Sequence, residues 1–407
     1  MNILISAYDC SPYKGSECAV GWNWIYQYSK NAGADDHIYV VANKFHKSEM
    51  QQAISDFGLS NVTLWIPEFP KRLDATAGRL WLLRYGLWQK YAYECARQSG
   101  IHFDMIHHVS KTTLLFAGKF WKYRDAYTVF GPVGGGQEIP ESLKHYQTNK
   151  KEEVLRTTAN RISRILPGYR RAIRSFDTLY AVNEETRVIL SRIAGSKVRL
   201  EHDIAAPDAY LGITPRSSCN HEGHRFLFSG RYHMPKKGAQ FLLECLAYLP
   251  DDFQYHIDFI GGNTNECDLP VKIKELKLED HVRLLGRLPY QKLKDVYRQY
   301  DAFVFTSLRE TGGSVLYEAM ASGLPVVGFN TSINRTLNEN GCGIFIDVEQ
   351  PAEGMKKAFA KAMVHVFSDY DHYSEKAYSY ANEHTWKAKY DRIMEDYMKW
   401  SREKESG

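Results

Sequence analysis

The stretch Asp301–Asn330 constrains the fold more than any other part of the chain. It reads DAFVFTSLRETGGSVLYEAMASGLPVVGFN. Asp301–Ser307 is apolar enough for a buried strand, Gly312 and Gly313 supply a tight turn, and Ser314 stands where a helix N-cap belongs. The predicted helix Val315–Ala321 meets a stop signal at Gly323-Leu324-Pro325, and Pro325–Phe329 reads as a second strand. An anion at the start of that helix meets free backbone N–H groups and the positive end of the helix dipole. Glu310 before the helix and Glu318 within it can then accept hydrogen bonds from hydroxyls on either side. A phosphate flanked by two polyols describes a nucleotide-sugar.

The same strand-and-helix rhythm runs through the rest of the chain. Strands are predicted at Ile3–Tyr8, His37–Ala42, Val62–Ile66, Met105–Val109, Tyr127–Val133 and Leu179–Val182, with helical patterns between them at Trp22–Ser29, Trp81–Arg97 and Ile162–Ser175. A polar, turn-rich segment with Pro207, Gly212, Pro215 and Gly223 follows. A second series then begins: Phe226–Ser229, Tyr255–Ile260, Val282–Leu285, Ala302–Phe305, Val326–Phe329 and Ile344–Ile346. Alternating strands and helices imply parallel sheets covered on both faces. At 407 residues the chain is too long for one core. The expected division is an α/β domain over 1–205, a linker over 206–224, a second α/β domain over 225–380 and a final segment 381–407 whose amphipathic helix is Trp386–Trp400.

Charge separates the halves. Residues 1–200 carry 27 Lys and Arg against 18 Asp and Glu, and the remainder carries 25 against 30. The basic excess gathers at Arg156, Arg161, Arg164, Arg170, Arg171 and Arg174, without the aromatic or motif signature of a nucleic-acid binder. The seven cysteines are scattered, with no C-x-x-C pair, which fits a reducing cytoplasm and neither a disulfide framework nor zinc. The N-terminus lacks a signal-peptide pattern, and no apolar run reaches 18 residues.

The 301–330 stretch resembles the E-x7-E motif of retaining glycosyltransferases of the GT-B fold, family 4. Their signature E-x-x-G-x-x-x-x-E-A-M-A-x-G-x-P-V-V is met at Glu310, Gly313, Glu318, Ala319, Met320, Ala321, Gly323, Pro325, Val326 and Val327. The resemblance covers nearly the whole chain and is strongest over 225–330. It implies two Rossmann-like doubly wound domains facing across a cleft, the first (1–205) binding the acceptor and the second (225–380) the nucleotide-sugar, with the helix of 381–407 crossing back to the first. It also implies transfer of a sugar from a UDP- or GDP-linked donor to a glycan or lipid-linked glycan, in bacterial cell-surface polysaccharide synthesis, with no metal or other cofactor. In Phe226–Gly238, FLFSGRYHMPKKG, the family's G-R-[LY]-x(3,4)-K-G pattern assigns Arg231 and Lys237 to the diphosphate, with Lys236 a substitute. A leaving diphosphate develops charge, and fixed cations are what that chemistry needs. The remaining donor contacts implied are Gly15, Arg287, Glu310, Gly312, Gly313, Ser314, Val315 and Glu318. Arg287, in HVRLLGRL, is either a base contact or a solvated cation.

On the acceptor side the resemblance points to three places. Asp9–Trp24 carries Gly15, Ser16 and Glu17 in a loop where relatives hold G-G or G-S-E. Phe103–Ser110, FDMIHHVS, ends a strand on two histidines; the family places one beside the reacting sugar, and one pleat decides between His108, the preferred catalytic candidate, and His107. Phe130–Pro140, FGPVGGGQEIP, contributes Gly135, Gly136 and Glu138. The catalytic set implied is His108, Arg231, Lys237 and Glu310. Asp369-Tyr370-Asp371 lacks the preceding strand that a metal-dependent transferase requires. Leu80–Lys90 and the Arg-rich stretch 156–174 combine apolar, aromatic and basic residues in a pattern that fits peripheral contact with an anionic membrane. Two rival functions remain open at this point: a nucleotide-sugar epimerase of the same fold, and a non-catalytic sugar-nucleotide-binding protein.

Overall fold

A computed structural model describes residues 1–15, 17–68, 81–212 and 223–406. The chain divides into two compact units: Met1–Gly136 with Arg156–Asp203 and Trp386–Gly407, and Gln137–Leu155 with Ile204–Thr385.

The first unit is built on seven strands: β1 Asn2–Ala7, β2 His37–Ala42, β3 Val62–Trp65, β4 Met105–His108, β5 Tyr127–Val133, β6 Thr178–Ala181 and β7 Val198–Leu200. Their order is β3-β2-β1-β4-β5-β6-β7, with every pairing parallel. Six of these strands lie where the apolar runs predict them. The seventh, β7, carries the exposed residues Arg199 and Leu200 and lacks an apolar run. The predicted helix Ile162–Ser175 is two helices, Lys150–Ile165 and Pro167–Ser175. Pro167 has no N–H to continue the first helix, yet suits the first turn of the second.

Both faces of this sheet are covered, as a parallel sheet requires. Leu4, Val41 and Ile106 pack with Tyr85 and Trp88 from the helix Trp81–Gln98 on one side. On the other, Trp24 and Tyr28 of the helix Glu17–Lys30 meet Trp386 and Tyr390, with ring centroids 5.6 and 5.3 Å apart. Those last two residues belong to the helix Trp386–Glu405, which an ion-pair network also holds. Buried Lys389 lies 3.1 Å from Glu201, and Arg392 Nε donates to the same carboxylate at 2.6 Å. Burial alone would push the Glu201 carboxyl up, but Lys389 and Arg392 outweigh it and bring it down to about 2.

The second unit has six strands, β8 His224–Ser229, β9 Tyr255–Ile260, β10 Val282–Gly286, β11 Ala302–Phe305, β12 Val326–Phe329 and β13 Gly343–Ile346, in the order β10-β9-β8-β11-β12-β13. All its pairings are parallel. The boundary expected at 205 is interrupted by Gln137–Leu155. Ile139, Leu143 and Tyr146 enter the core of the second sheet, and the Tyr146 hydroxyl donates to Glu244 at 2.6 Å. Three apolar residues in a short connection give no sequence signal of which core they will join. The first part of the expected linker also packs here: Ala206 bridges Thr385, and Tyr210 is buried against Tyr297. Residues 213–222 lie outside the described residues.

Candidate functional site

In a doubly wound sheet, the crevice opens where strand order reverses, between the loops that follow two neighbouring strands. In the second unit those strands are β8 and β11. Their loops carry the two cationic positions and the first glutamate. The loops are joined through the backbone: Leu308 N–H donates to Lys236 O at 2.9 Å, and Thr306 Oγ1 donates to Gly238 O at 3.1 Å. Gly238 is irreplaceable in this join. Its φ is +71°, and a Cβ there would sit 1.9 Å from Thr306 O.

Lys237 pairs with Glu310 across this join. Glu310 also accepts from Ser307 Oγ at 3.2 Å and from the Thr311 N–H at 3.3 Å. Burial would raise its carboxyl, but Lys237, Thr311 and Ser307 together hold it below the ordinary carboxylate range. Burial pushes Lys236 below the ordinary lysine value, and so do the positive charges of Arg309, Lys237 and Arg231. Arg231 is exposed and makes no side-chain hydrogen bond or ion pair among the described residues. Four cations thus gather around one carboxylate of the loop, with Arg309 also paired to Glu153 at 3.3 Å. The site carries excess positive charge, which suits a phosphate-bearing ligand.

The helix beyond runs Ser314–Ala321. Gly313, not Ser314, is its N-cap, with φ +66° and ψ +66°, and no side chain caps it. A left-handed cap of this kind costs glycine nothing, and it makes Ser314 and Val315 the first helical residues. Glu318, one turn on, is buried, and the Tyr297 hydroxyl donates to it at 3.0 Å. Burial raises its carboxyl to about 7. Arg287 follows Gly286 at the end of β10, the edge strand, with β9 between it and β8, and is exposed.

In the first unit the order reverses between β1 and β4. Asp9 follows β1, and Lys111 follows β4 with a positive φ of 55°. Lys111 Nζ lies 3.0 Å from Asp9, and its N–H donates to Glu17 at 3.1 Å. Burial pulls this lysine down, but Asp9 and Glu17 outweigh it and hold it above its ordinary value. Gly15 is exposed nearby in sequence, and Ser16 lies outside the described residues.

Two expectations for the acceptor side need correction. His107 and His108 are both fully buried, on opposite faces of the sheet. His107 Nε2 donates to Gly131 O at 2.9 Å, while its Nδ1 faces the Tyr28 hydroxyl at 3.0 Å. His108 meets Tyr85 at 2.9 Å and Ser6 at 2.8 Å. Burial lowers both rings to about 3, so they are neutral core residues with every ring nitrogen engaged. Neither has a nitrogen to offer a reacting sugar. The second correction concerns Glu138, which belongs to the second unit. Its neighbour Gln137 donates to Thr311 Oγ1 at 2.7 Å, beside the glycine turn. Gly135 and Gly136 stay in the first unit, where Gly136 approaches the protein itself: a Cβ there would meet Thr186 Cα at 2.7 Å.

Sequence reasoning missed Asp9, Lys111, Gln137, Tyr297 and Arg309. Strand order would have flagged the first two; the others depend on tertiary placement. Among the described residues no group of three His, Cys, Asp or Glu could hold a metal ion. Asp369 and Asp371 lie at the start of a helix, not after a strand.

Comparison with known proteins agrees with this geometry. The sucrose-phosphate synthase of Thermosynechococcus elongatus superposes with a TM-score of 0.67 at 14% identity, over 98% of this chain and 99% of that one. Anabaena HepE in complex with UDP-glucose superposes with a TM-score of 0.60 at 14% identity, over 97% and 99%. The fold is GT-B. Residues 215–381, which contain the whole β8/β11 site, match the family model for "Glycosyl transferases group 1". Among curated relatives, the GDP-mannose:cellobiosyl-diphosphopolyprenol alpha-mannosyltransferase of Xanthomonas oryzae pv. oryzae is 26% identical over 208 residues, 50% of this chain and 53% of that protein. The chain thus spans about half the length of that relative.

Proposed function

We propose that this protein is a retaining glycosyltransferase of family 4. It moves a sugar from a UDP- or GDP-linked donor to a hydroxyl of a glycan or lipid-linked glycan. The observation that carries this reading is the gathering of Arg231, Lys236, Lys237 and Glu310 on joined loops at the second unit's switch point, ahead of an uncapped helix start. The donor's diphosphate binds these cations and the N–H groups of Gly313–Val315. The bond between the anomeric carbon and the diphosphate oxygen breaks, and the acceptor oxygen bonds to that carbon from the same face. The acceptor's proton passes to the departing phosphate oxygen. Lys237 and Arg231 stabilise the charge that develops as the bond opens, a task fixed cations perform without a metal ion. Glu310 accepts from hydroxyls of the donor sugar, and Glu318 from those of the ribose.

A diphosphopolyprenol-linked acceptor is supported by the name of the Xanthomonas relative, and with it a role in cell-surface polysaccharide synthesis at a cytoplasmic membrane face. The test is incubation of the full chain with labelled UDP- and GDP-sugars and a polyprenol-linked glycan in the presence of EDTA. Transfer with an unchanged anomeric configuration is expected. Epimer formation without an acceptor, or binding with no turnover, would overturn the proposal.

A further inference from the structure

The helix Lys150–Ile165 is turned inside out. Its polar residues face the protein: Asn160 Nδ2 donates to Gly135 O at 2.9 Å, and Ser163 Oγ donates to Leu114 O at 2.7 Å. Its apolar residues face outward, with Ile162 51% and Ile165 71% exposed, followed by Leu166 at 49%. Val154 and Leu155, earlier in the same helix, are 66% and 71% exposed. At about 100° per residue these four helical positions share an arc of roughly 100°, with Lys151 within it and Lys150 and Arg161 at its edge. An ordinary surface helix shows the reverse arrangement.

Charge identifies the occupant of this stripe. Residues 150–174 hold eight Lys and Arg against two Glu. Arg164 and Arg174 are steadied by the carbonyls of Asn160 and Ile193, at 3.0 and 3.1 Å, which orders them without cancelling their charge. A second copy of the same face would oppose like charges across a two-fold axis. An anionic bilayer meets both features, since acyl chains accept the isoleucines while lipid phosphates accept the cations. We propose that the outward face of Lys150–Ile165, with Leu166, is a docking surface for an anionic lipid bilayer.

In the other stretch with a membrane-like composition the exposed apolar residues among those described are the neighbours Leu82 and Leu83, while its arginine and two of its aromatic residues turn inward. Arg84, Tyr85 and Trp88 are all buried, with Arg84 stacked 4.1 Å from the ring of Phe45.

The experiment needs no sugar chemistry, so its outcome is independent of the proposed transfer reaction. The full chain is floated with phosphatidylglycerol-rich vesicles and, separately, with pure phosphatidylcholine vesicles. Partition into the anionic vesicles alone is expected, weakening as salt rises. Ile162→Ser with Ile165→Ser, both exposed positions, should reduce that partition by about tenfold or more at unchanged melting temperature. Arg161→Glu should reduce it mainly at low salt. The proposal is overturned by absence of partition, or by partition that ignores both variants. It is equally overturned by a dimer in solution that Ile165→Ser dissolves while vesicles bind neither form.

Discussion

Two lysine–glutamate contacts, one in each unit, use the same chemistry to opposite ends. Lys389 is 1% exposed and faces two acids, Glu201 and Asp203, while half-exposed Arg392 also holds Glu201, so two cations meet two carboxylates at the edge of a closed core. Lys237 is 17% exposed on a loop, with Arg231, Lys236 and Arg309 adding positive charge that Glu310 alone does not cancel. The difference lies in what surrounds the pair rather than in the pair itself. A neutralised pair in a core fastens one element to another, whereas a pair within a cationic excess is poised to exchange its carboxylate for an anionic ligand.

The largest expected effect is therefore on stability, and in the first unit. Lys389→Met leaves Glu201 buried with a weakened shell and should destabilise that unit by about 3–5 kcal/mol. Because the Glu201 carboxyl is depressed in the fold, its contribution is complete above its ordinary value of 4.5 and is lost as pH falls toward about 2. Urea melts of wild type and variant should diverge at neutral pH and converge in acid. Lys237→Ala reverses the pattern. It should lower turnover at saturating donor by roughly 10²–10³ while shifting stability by less than about 1 kcal/mol. Near-normal turnover in this variant would erase the contrast.

Glu318→Gln sharpens the contrast from within the second unit. The carboxyl is raised in the fold, so wild-type stability is fully present below its ordinary value of 4.5 and declines as pH rises through about 7. The glutamine variant cannot ionise. Its melting temperature relative to wild type should climb between pH 5 and pH 8, by up to ~3 kcal/mol equivalent. A flat difference would mean that Glu318 is not desolvated. The smallest effect is expected at the first unit's own switch point. Asp9→Asn should change nucleoside diphosphate affinity by less than about twofold, because Asp9 and its partner Lys111 both belong to the first unit, away from the β8 and β11 loops.

The cationic loops of the second unit were legible in the sequence because their parts are local. Glu310 and Gly313 lie on one loop ahead of the helix that holds Glu318, and Arg231 and Lys237 lie on another, so sequence pattern and geometry coincide. The strands of both sheets were readable as apolar runs, apart from three-residue β7 at the sheet edge. What stayed hidden depends on distant parts of the chain. His107 and His108 end a strand in the expected place, yet Tyr28, Tyr85 and Ser6 complete their hydrogen bonding from elsewhere. Gln137–Leu155 reads as part of the first unit until Ile139, Leu143 and Tyr146 find the core of the second. Arg309 gains meaning only beside Lys236.

Binding of the donor's diphosphate to the β8 and β11 loops can be read by hydrogen exchange of the full chain with and without UDP or GDP. Added protection is expected at Gly230–Gly238 and Thr306–Val315, abolished by Lys237→Ala and retained by Asp9→Asn. Protection confined to the loops after β1 and β4, or unchanged by Lys237→Ala, would contradict it.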